Sequence, residues 1–158
     1  MYVLSEDFFG NLSAPNSVLK ENLKVWLDNY RMINDTIDIL DGKVINFGIK
    51  YEIISDIDAN RFDLLERCNE ALKSDFLTIK FGLGESIYLS EVYKILNDVP
   101  GVTDTRNVEF YNIQGGAYSN YIYDIDSNIS RDGRYLLVPP DSAAEVLFPD
   151  TDILGVIV

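Results

Sequence analysis

Ile45-Asn46-Phe47-Gly48-Ile49-Lys50-Tyr51-Glu52-Ile53 is the stretch that decides the fold. Its apolar residues occupy every second position, with Asn46, Gly48, Lys50 and Glu52 between them. Period two held over that length means a β-strand with one dry face and one wet face. A dry face needs cover, and helices on one side of a sheet are the natural solution. Immediately upstream, Asp41-Gly42 is a turn signal, because both residue types tolerate positive φ, and the short alternating piece Ile37-Asp38-Ile39 precedes it. Farther upstream, Leu19, Leu23, Trp26, Leu27 and Tyr30 recur at helical spacing among Lys20, Glu21, Lys24 and Asp28. This pattern predicts an amphipathic helix over 16–32 with one buried stripe, capped by Asn16 or Ser17. The first fifteen residues, with Gly10 and Pro15, read as an extended lead-in.

Downstream, Asp56, Asp58 and Asn60 precede a second helical pattern in which Leu65, Cys68, Leu72 and Phe76 share a face. Acidic residues at its start and Lys73 near its end suit the helix dipole. Leu77, Ile79 and Phe81 alternate briefly, which predicts a short strand before the Gly82-Leu83-Gly84 turn. A third helix is expected over 90–97, burying Val92, Ile95 and Leu96 and then Val99, and Pro100-Gly101 stops it. Residues 102–113 read as a strand with Val108, Phe110 and Asn112 on one face. After Gly115-Gly116 the chain turns Tyr-rich and turn-rich. Short β pieces are expected over 135–138, 145–148 and 153–158, and the flanking prolines at 139, 140 and 149 favour edge positions. The expected organisation is an extended lead-in over 1–15, an α+β domain over 16–114 and a small, mostly β extension over 115–158. The fold class expected is α+β, a two-layer helix-on-sheet arrangement related to the ferredoxin-like folds.

Composition prunes the functions open to these 158 residues. Against 26 Asp and Glu stand 13 Lys and Arg, a formal charge of −13. Such a chain is repelled by phosphate backbones and by anionic membrane surfaces, so neither nucleic acid nor membrane is an expected partner. The sequence contains no His, which removes imidazole-based acid–base catalysis, Ser-His-Asp and Cys-His arrangements and imidazole zinc sites. Its single cysteine, Cys68, forms no internal disulfide, and its place in an apolar stripe marks it as a small buried hydrophobe rather than a nucleophile. No apolar run approaches the roughly 20 residues of a membrane helix.

Each remaining motif has a simple structural reading. Asp124-Ile125-Asp126-Ser127-Asn128 opens like a calcium loop, but Ile129 and Tyr135 stand where the turn glycine and the bidentate glutamate belong. Gly82-Leu83-Gly84-Glu85-Ser86-Ile87 opens like a dinucleotide fingerprint, but Ile87 replaces its third glycine and Glu85 would repel a phosphate. The carboxylate pairs Asp56/Asp58 and Asp150/Asp152 are what a chain with 26 acids produces by chance. Tyr118, Tyr121 and Tyr123 are the most suggestive cluster, because tyrosine brings apolar area and a polar tip to interfaces. They are the candidate interface residues, weighed against packing on the chain's own domain. No catalytic, cofactor-binding or metal-ligating set is expected. An enzyme here would have to work with carboxylates, Tyr and Lys alone.

Several segments, in order, resemble one family. Leu27 to Asp41, reading Leu-Asp-Asn-Tyr-Arg-Met-Ile-Asn-Asp-Thr-Ile-Asp-Ile-Leu-Asp, is similar to the helix-to-strand passage of the baseplate wedge subunit of contractile-tailed bacteriophages, within the baseplate J-like group. The alternating strand of Val44 to Ile54 follows. Next come Ile87-Tyr88-Leu89-Ser90-Glu91-Val92 and Val99-Pro100-Gly101-Val102. Tyr118-Ser119-Asn120-Tyr121 and then Phe148-Pro149-Asp150-Thr151-Asp152-Ile153-Leu154-Gly155 complete the series. The resemblance runs from about residue 2 to residue 158 and rests on the order of packing and turn motifs. Family members are several times longer, and the similarity is to their C-terminal part. It implies a virion component assembled in the host cytoplasm: a homodimer that joins other baseplate wedge proteins and closes into a ring around the tail hub, without catalysis or cofactor. The competing expectation is a small-ligand or calcium-binding sensory domain on a ferredoxin-like scaffold.

Overall fold

The structure, a computed structural model, describes residues 1–32, 34–57, 59–78 and 80–158. The chain is α+β. In order it forms β1 (Tyr2–Val3), β2 (Ser5–Glu6), β3 (Leu12–Ser13), α1 (Ser17–Asp28), β4 (Leu40–Asp41), β5 (Lys43–Ser55) and α2 (Arg61–Ala71). A π-helical turn over Leu72–Phe76 extends α2. Then come β6 (Ile87–Tyr88), α3 (Leu89–Asn97), β7 (Val102–Asn112), α4 (Ile125–Asn128), β8 (Tyr135–Leu136), β9 (Ser142–Glu145), α5 (Pro149–Asp152) and β10 (Ile153–Ile157).

The strand that opened the argument is β5, and the sheet is organised around it. β7 pairs with it antiparallel from Phe47↔Asn112 to Ser55↔Val102, with register shifts at Glu52/Ile53 and Ile54/Ser55. β10 pairs with it parallel, Ile153↔Ile49 to Ile157↔Ile53, and β9 pairs parallel with its earlier segment, Lys43↔Ser142 to Asn46↔Glu145. Period two is obeyed on the dry side: Ile45, Phe47, Ile49, Tyr51 and Ile53 are all buried. Phe47 meets Phe110 of β7 edge-on at 5.2 Å. Each such fully buried large side chain contributes about 1.5–3 kcal/mol of transfer free energy. Tyr51 lies inside because Gly155 on β10 leaves room for its ring, where a Cβ would collide, and its hydroxyl donates to Asn69 Oδ1 at 2.7 Å.

α2 and α3 supply the rest of this core. Asn60 caps α2, its Oδ1 accepting from Phe62 N at 3.2 Å; Asp58 lies outside the described residues. Leu64, Cys68, Leu72 and Phe76 are buried, so the stripe runs through Leu64, with Leu65 packed beside it. The short strand expected over 77–81 is not formed at residues 77, 78, 80 and 81, and Ile79 lies outside the described residues. Leu72 and Phe76 prolong the buried face of α2, and the chain stays wound, with Leu77 N donating to Leu72 O at 3.1 Å. α3 buries Leu89, Val92 and Leu96, followed by Val99.

The largest correction concerns α1. Asn16 caps it, its Oδ1 accepting from Leu19 N at 2.8 Å, but of the expected stripe only Leu23 and Leu27 reach half-burial, no residue of the helix is fully buried and none belongs to the core. Residues 115–158 also differ in detail from the expected β pieces, because β8 is two residues long and β9 spans Ser142–Glu145, sharing only Glu145 with the expected 145–148. Both β9 and β10 pair with β5, so this part of the chain completes the central sheet.

Candidate assembly surfaces

The candidate tyrosines are gathered on the sheet by two polar hubs that lie well beyond them in sequence. The first is Asp152, 2% exposed, at the end of α5. Its carboxylate accepts from Tyr118 Oη at 2.7 Å and Phe148 N at 2.9 Å, and its carbonyl accepts from Tyr111 Oη at 3.1 Å. The hydrogen bond to Asp152 raises the pKa of Tyr118, because losing its proton would set two anions side by side. Tyr118 packs edge-on to Phe148 at 5.4 Å, Tyr121 stacks on Tyr123 at 6.4 Å, and Lys43 Nζ sits 4.9 Å from the centre of the Tyr121 ring. Tyr123 is buried and donates to Leu137 O, and burial raises its pKa. Tyr118 and Tyr121 are half-buried.

The second hub is Glu145 on β9. Its two carboxylate oxygens accept from Leu12 N at 2.8 Å and Asn46 Nδ2 at 3.1 Å, and Asn46 Oδ1 accepts from Ser119 N at 2.7 Å. Burial pushes the Glu145 carboxyl above its usual range, with those hydrogen bonds pulling the other way. Glu145 thereby ties the β2–β3 hairpin, the central strand and the tyrosine segment together. Two clefts flank it. One, of about 310 Å³, is lined by Phe9, Leu12, Phe81 and Leu147. The other, of about 590 Å³, is lined by Lys43, Asn46, Tyr118, Tyr121 and Phe148. The polar groups at their shared wall are engaged with one another.

The remaining motifs resolve into local structure. Asp124 caps the short helix α4, accepting from Ser127, and that hydrogen bond holds its carboxyl below the usual range. Among the described residues no group of three or more Asp, Glu, Cys or His side chains is placed to hold a metal. Glu85 Oε2 accepts from Gly82 N at 2.6 Å, filling the place a phosphate would take, and Gly84 turns the chain at φ +72°. Asp150 pairs with Lys73 at the surface while Asp152 is enclosed. Asp56 Oδ1 accepts from Ile57 N. The Cys68 thiol is buried and pushed up to about 11 by desolvation, which removes its nucleophilic form at neutral pH.

The surface the sequence reading missed is the face of α1. Leu19 and Trp26 fall on one side of the helix, Val18 and Val25 lie to the side of them, and Tyr30 and Met32 follow its end. All are exposed, Trp26 at 54%, Tyr30 at 72% and Met32 at 77%. Trp26 and Tyr30 pack on each other at 4.8 Å. The Lys20–Asp41 ion pair at 2.7 Å ties α1 to β4, and the Asp28–Arg31 pair at 2.9 Å is local to the helix's C-terminal end. Phe8 and Phe9 add a second exposed apolar pair at the β2–β3 turn, where Asp7 Oδ1 accepts from Phe9 N and Asn11 N at 2.8 Å each. A helix of 12 residues is marginal in water without tertiary packing, so this face is built to be covered. Neither a protein-family model nor a curated protein matches the chain.

Proposed function

We propose that the chain is a structural subunit of a bacteriophage tail baseplate wedge. In this reading it is a homodimer that joins other wedge proteins and forms part of the ring around the tail hub, within a virion assembled in the host cytoplasm. Its core is then a two-layer helix-on-sheet domain related to the ferredoxin-like folds. The observation that carries the reading is the uncovered apolar face of α1, which a monomer of this size has no reason to expose. The strong negative charge supports it too, since a chain at −13 resists casual contact and associates only where a specific patch overcomes repulsion. Tyr118 and Tyr121, half-buried at the rim of the larger cleft, are the tyrosines proposed at a subunit contact, with buried Tyr123 fixing their placement. No catalytic residue and no cofactor is assigned.

The test is co-expression of the chain with the tail proteins encoded by the neighbouring genes, followed by electron microscopy of the purified particles. The reading expects wedge-shaped complexes that form with the wild type and fail with Trp26→Ser combined with Val25→Ser. A chain that enters no complex, or a double variant that assembles normally, overturns it. The same preparations are run with calcium and with chelator, and a calcium-dependent change of state favours the sensory-domain alternative.

A further inference from the structure

The two outer strands of the central sheet are protected very differently. β7 carries Asp104, Arg106 and Glu109 at exposed positions and is irregular in register against β5. Charges and irregularities of this kind keep an edge from pairing with another chain. β10 has neither. Ile153-Leu154-Gly155-Val156-Ile157 and the following Val158 contain no charged side chain and no proline, and the pairing with β5 is regular throughout. Leu154, Val156 and Val158 are exposed on the wet face of the sheet at 45%, 56% and 54%.

The hydrogen bonds fix which backbone groups of β10 are free to pair. Val158 N donates to Ile53 O at 3.0 Å, so the backbone groups of Leu154 and Val156, in phase with it, also face β5. Those of Ile153, Gly155 and Ile157 face the other way, and among the described residues no strand pairs there. Ile153 is closed over at 3% exposure, while Gly155 and Ile157 are part-exposed.

We propose that β10 is a self-pairing edge: two copies of the chain join β10 to β10, antiparallel, about a twofold axis at Val156. Only this register sets Gly155 opposite the copy's Ile157 as a hydrogen-bonded pair without using the enclosed Ile153. Val156 then faces Val156 of the copy, and Leu154 faces Val158, joining the exposed stripes into one apolar surface. Charge argues for a second copy as the occupant. In a chain at −13, no side chain of residues 153–158 is charged, so two copies meet there without opposing side-chain carboxylates. Such an isologous contact closes on itself and leaves α1 free for a different partner. The inference rests on the assembly reading only in taking the chain to self-associate.

Cysteine cross-linking tests the register, with light scattering behind size exclusion as the second readout. The native Cys68 is buried and does not interfere. In a non-hydrogen-bonded pair the Cα atoms lie about 4.5 Å apart, within disulfide reach. Val156→Cys is expected to oxidise to a covalent dimer. Leu154→Cys, four residues and about 13 Å from its own copy, stays monomeric under oxidation. The double variant Leu154→Cys with Val158→Cys cross-links. Val156→Lys, at an exposed position, sets like charges opposite each other and converts the dimer to monomer, its melting temperature becoming independent of concentration and falling no lower than that of the dilute wild type. Cross-linking of Leu154→Cys as efficient as that of Val156→Cys overturns the register. A wild type that remains monomeric at every concentration and leaves Val156→Cys unlinked overturns self-pairing altogether. A dimer that survives Val156→Lys overturns the edge and leaves the assembly reading standing, whereas wedge complexes lost only on changing α1 speak to that reading alone.

Discussion

α1 and α3 are both short amphipathic helices, yet α3 lays Leu89, Val92 and Leu96 into the core while α1 only half-buries Leu23 and Leu27 and encloses no residue fully. The difference lies outside the helices. α3 is followed by Val99-Pro100-Gly101, which turns the chain straight into β7, and the strand it packs against is its neighbour in sequence. The 11 residues of α1 that follow Ser17 lead instead into a stretch without regular structure at the described positions, and its return strand β4 is two residues long. An apolar stripe therefore states that a face is to be covered, while chain connectivity decides whether the same molecule can cover it.

The sharpest way to break this comparison is to remove one side chain from each face. Leu96→Ala, on α3, opens a cavity in a fully buried site and is expected to destabilise the protein by about 2–5 kcal/mol in urea unfolding. Asp152→Ala tests the hub that holds Tyr118 and Phe148. Its loss leaves the Tyr118 hydroxyl and the Phe148 amide without their charged acceptor and is expected to cost about 1.5–3 kcal/mol by the same measurement. Asn16→Ala removes the cap of α1 and is expected to weaken that helix by about 1 kcal/mol. Because α1 stands apart from the core, hydrogen exchange should place that loss in residues 17–28 and leave the global unfolding midpoint unchanged.

The attachment of the N-terminal hairpin to the body is tested by pH. Burial raises the pKa of Glu145, so the folded protein holds that proton more tightly than the unfolded chain does. The contribution of Glu145 to stability is then full below the usual carboxylate range and is lost as pH rises through its raised folded value. Thermal melts of the wild type relative to Glu145→Gln should show the wild type losing ground from acid to neutral pH. A constant difference would mean that the carboxyl is solvated. The smallest effect is expected on α1: Trp26→Ser should change monomer stability by no more than about 0.5 kcal/mol. If Trp26→Ser cost as much as Leu96→Ala, α1 would be part of the core in solution and the assembly surface would have to be sought elsewhere.

Much of the central architecture was legible because it is local and periodic. β5, β7 and α3 could be read from alternation or helical spacing within a dozen residues, and the cap of α1 from residue type, as Asn16 or Ser17. The candidate surfaces were legible only in part. The tyrosines stood out by composition, but their partners Asp152, Phe148 and Lys43 lie well away in sequence, and no local pattern marks them. Glu145 carried no signal at all, because its partners Leu12 and Asn46 are 133 and 99 residues away. The brief alternation over Leu77 and Phe81 misled because a few residues cannot separate a strand from the end of a buried helix.

By itself, then, the sequence determined the class of the fold, the strand at its centre and the chemistry it lacks. Those follow from periodicity, charge and the absence of histidine, which are properties of residues taken one or a few at a time. Only the tertiary structure decided that β9 and β10 complete the central sheet, that α1 is left uncovered and that β10 stands at an unguarded edge. Strand order and the fate of an apolar face depend on which distant segments arrive first to bury the same surface. That competition is settled by packing across the whole chain, where no short window of sequence can register it.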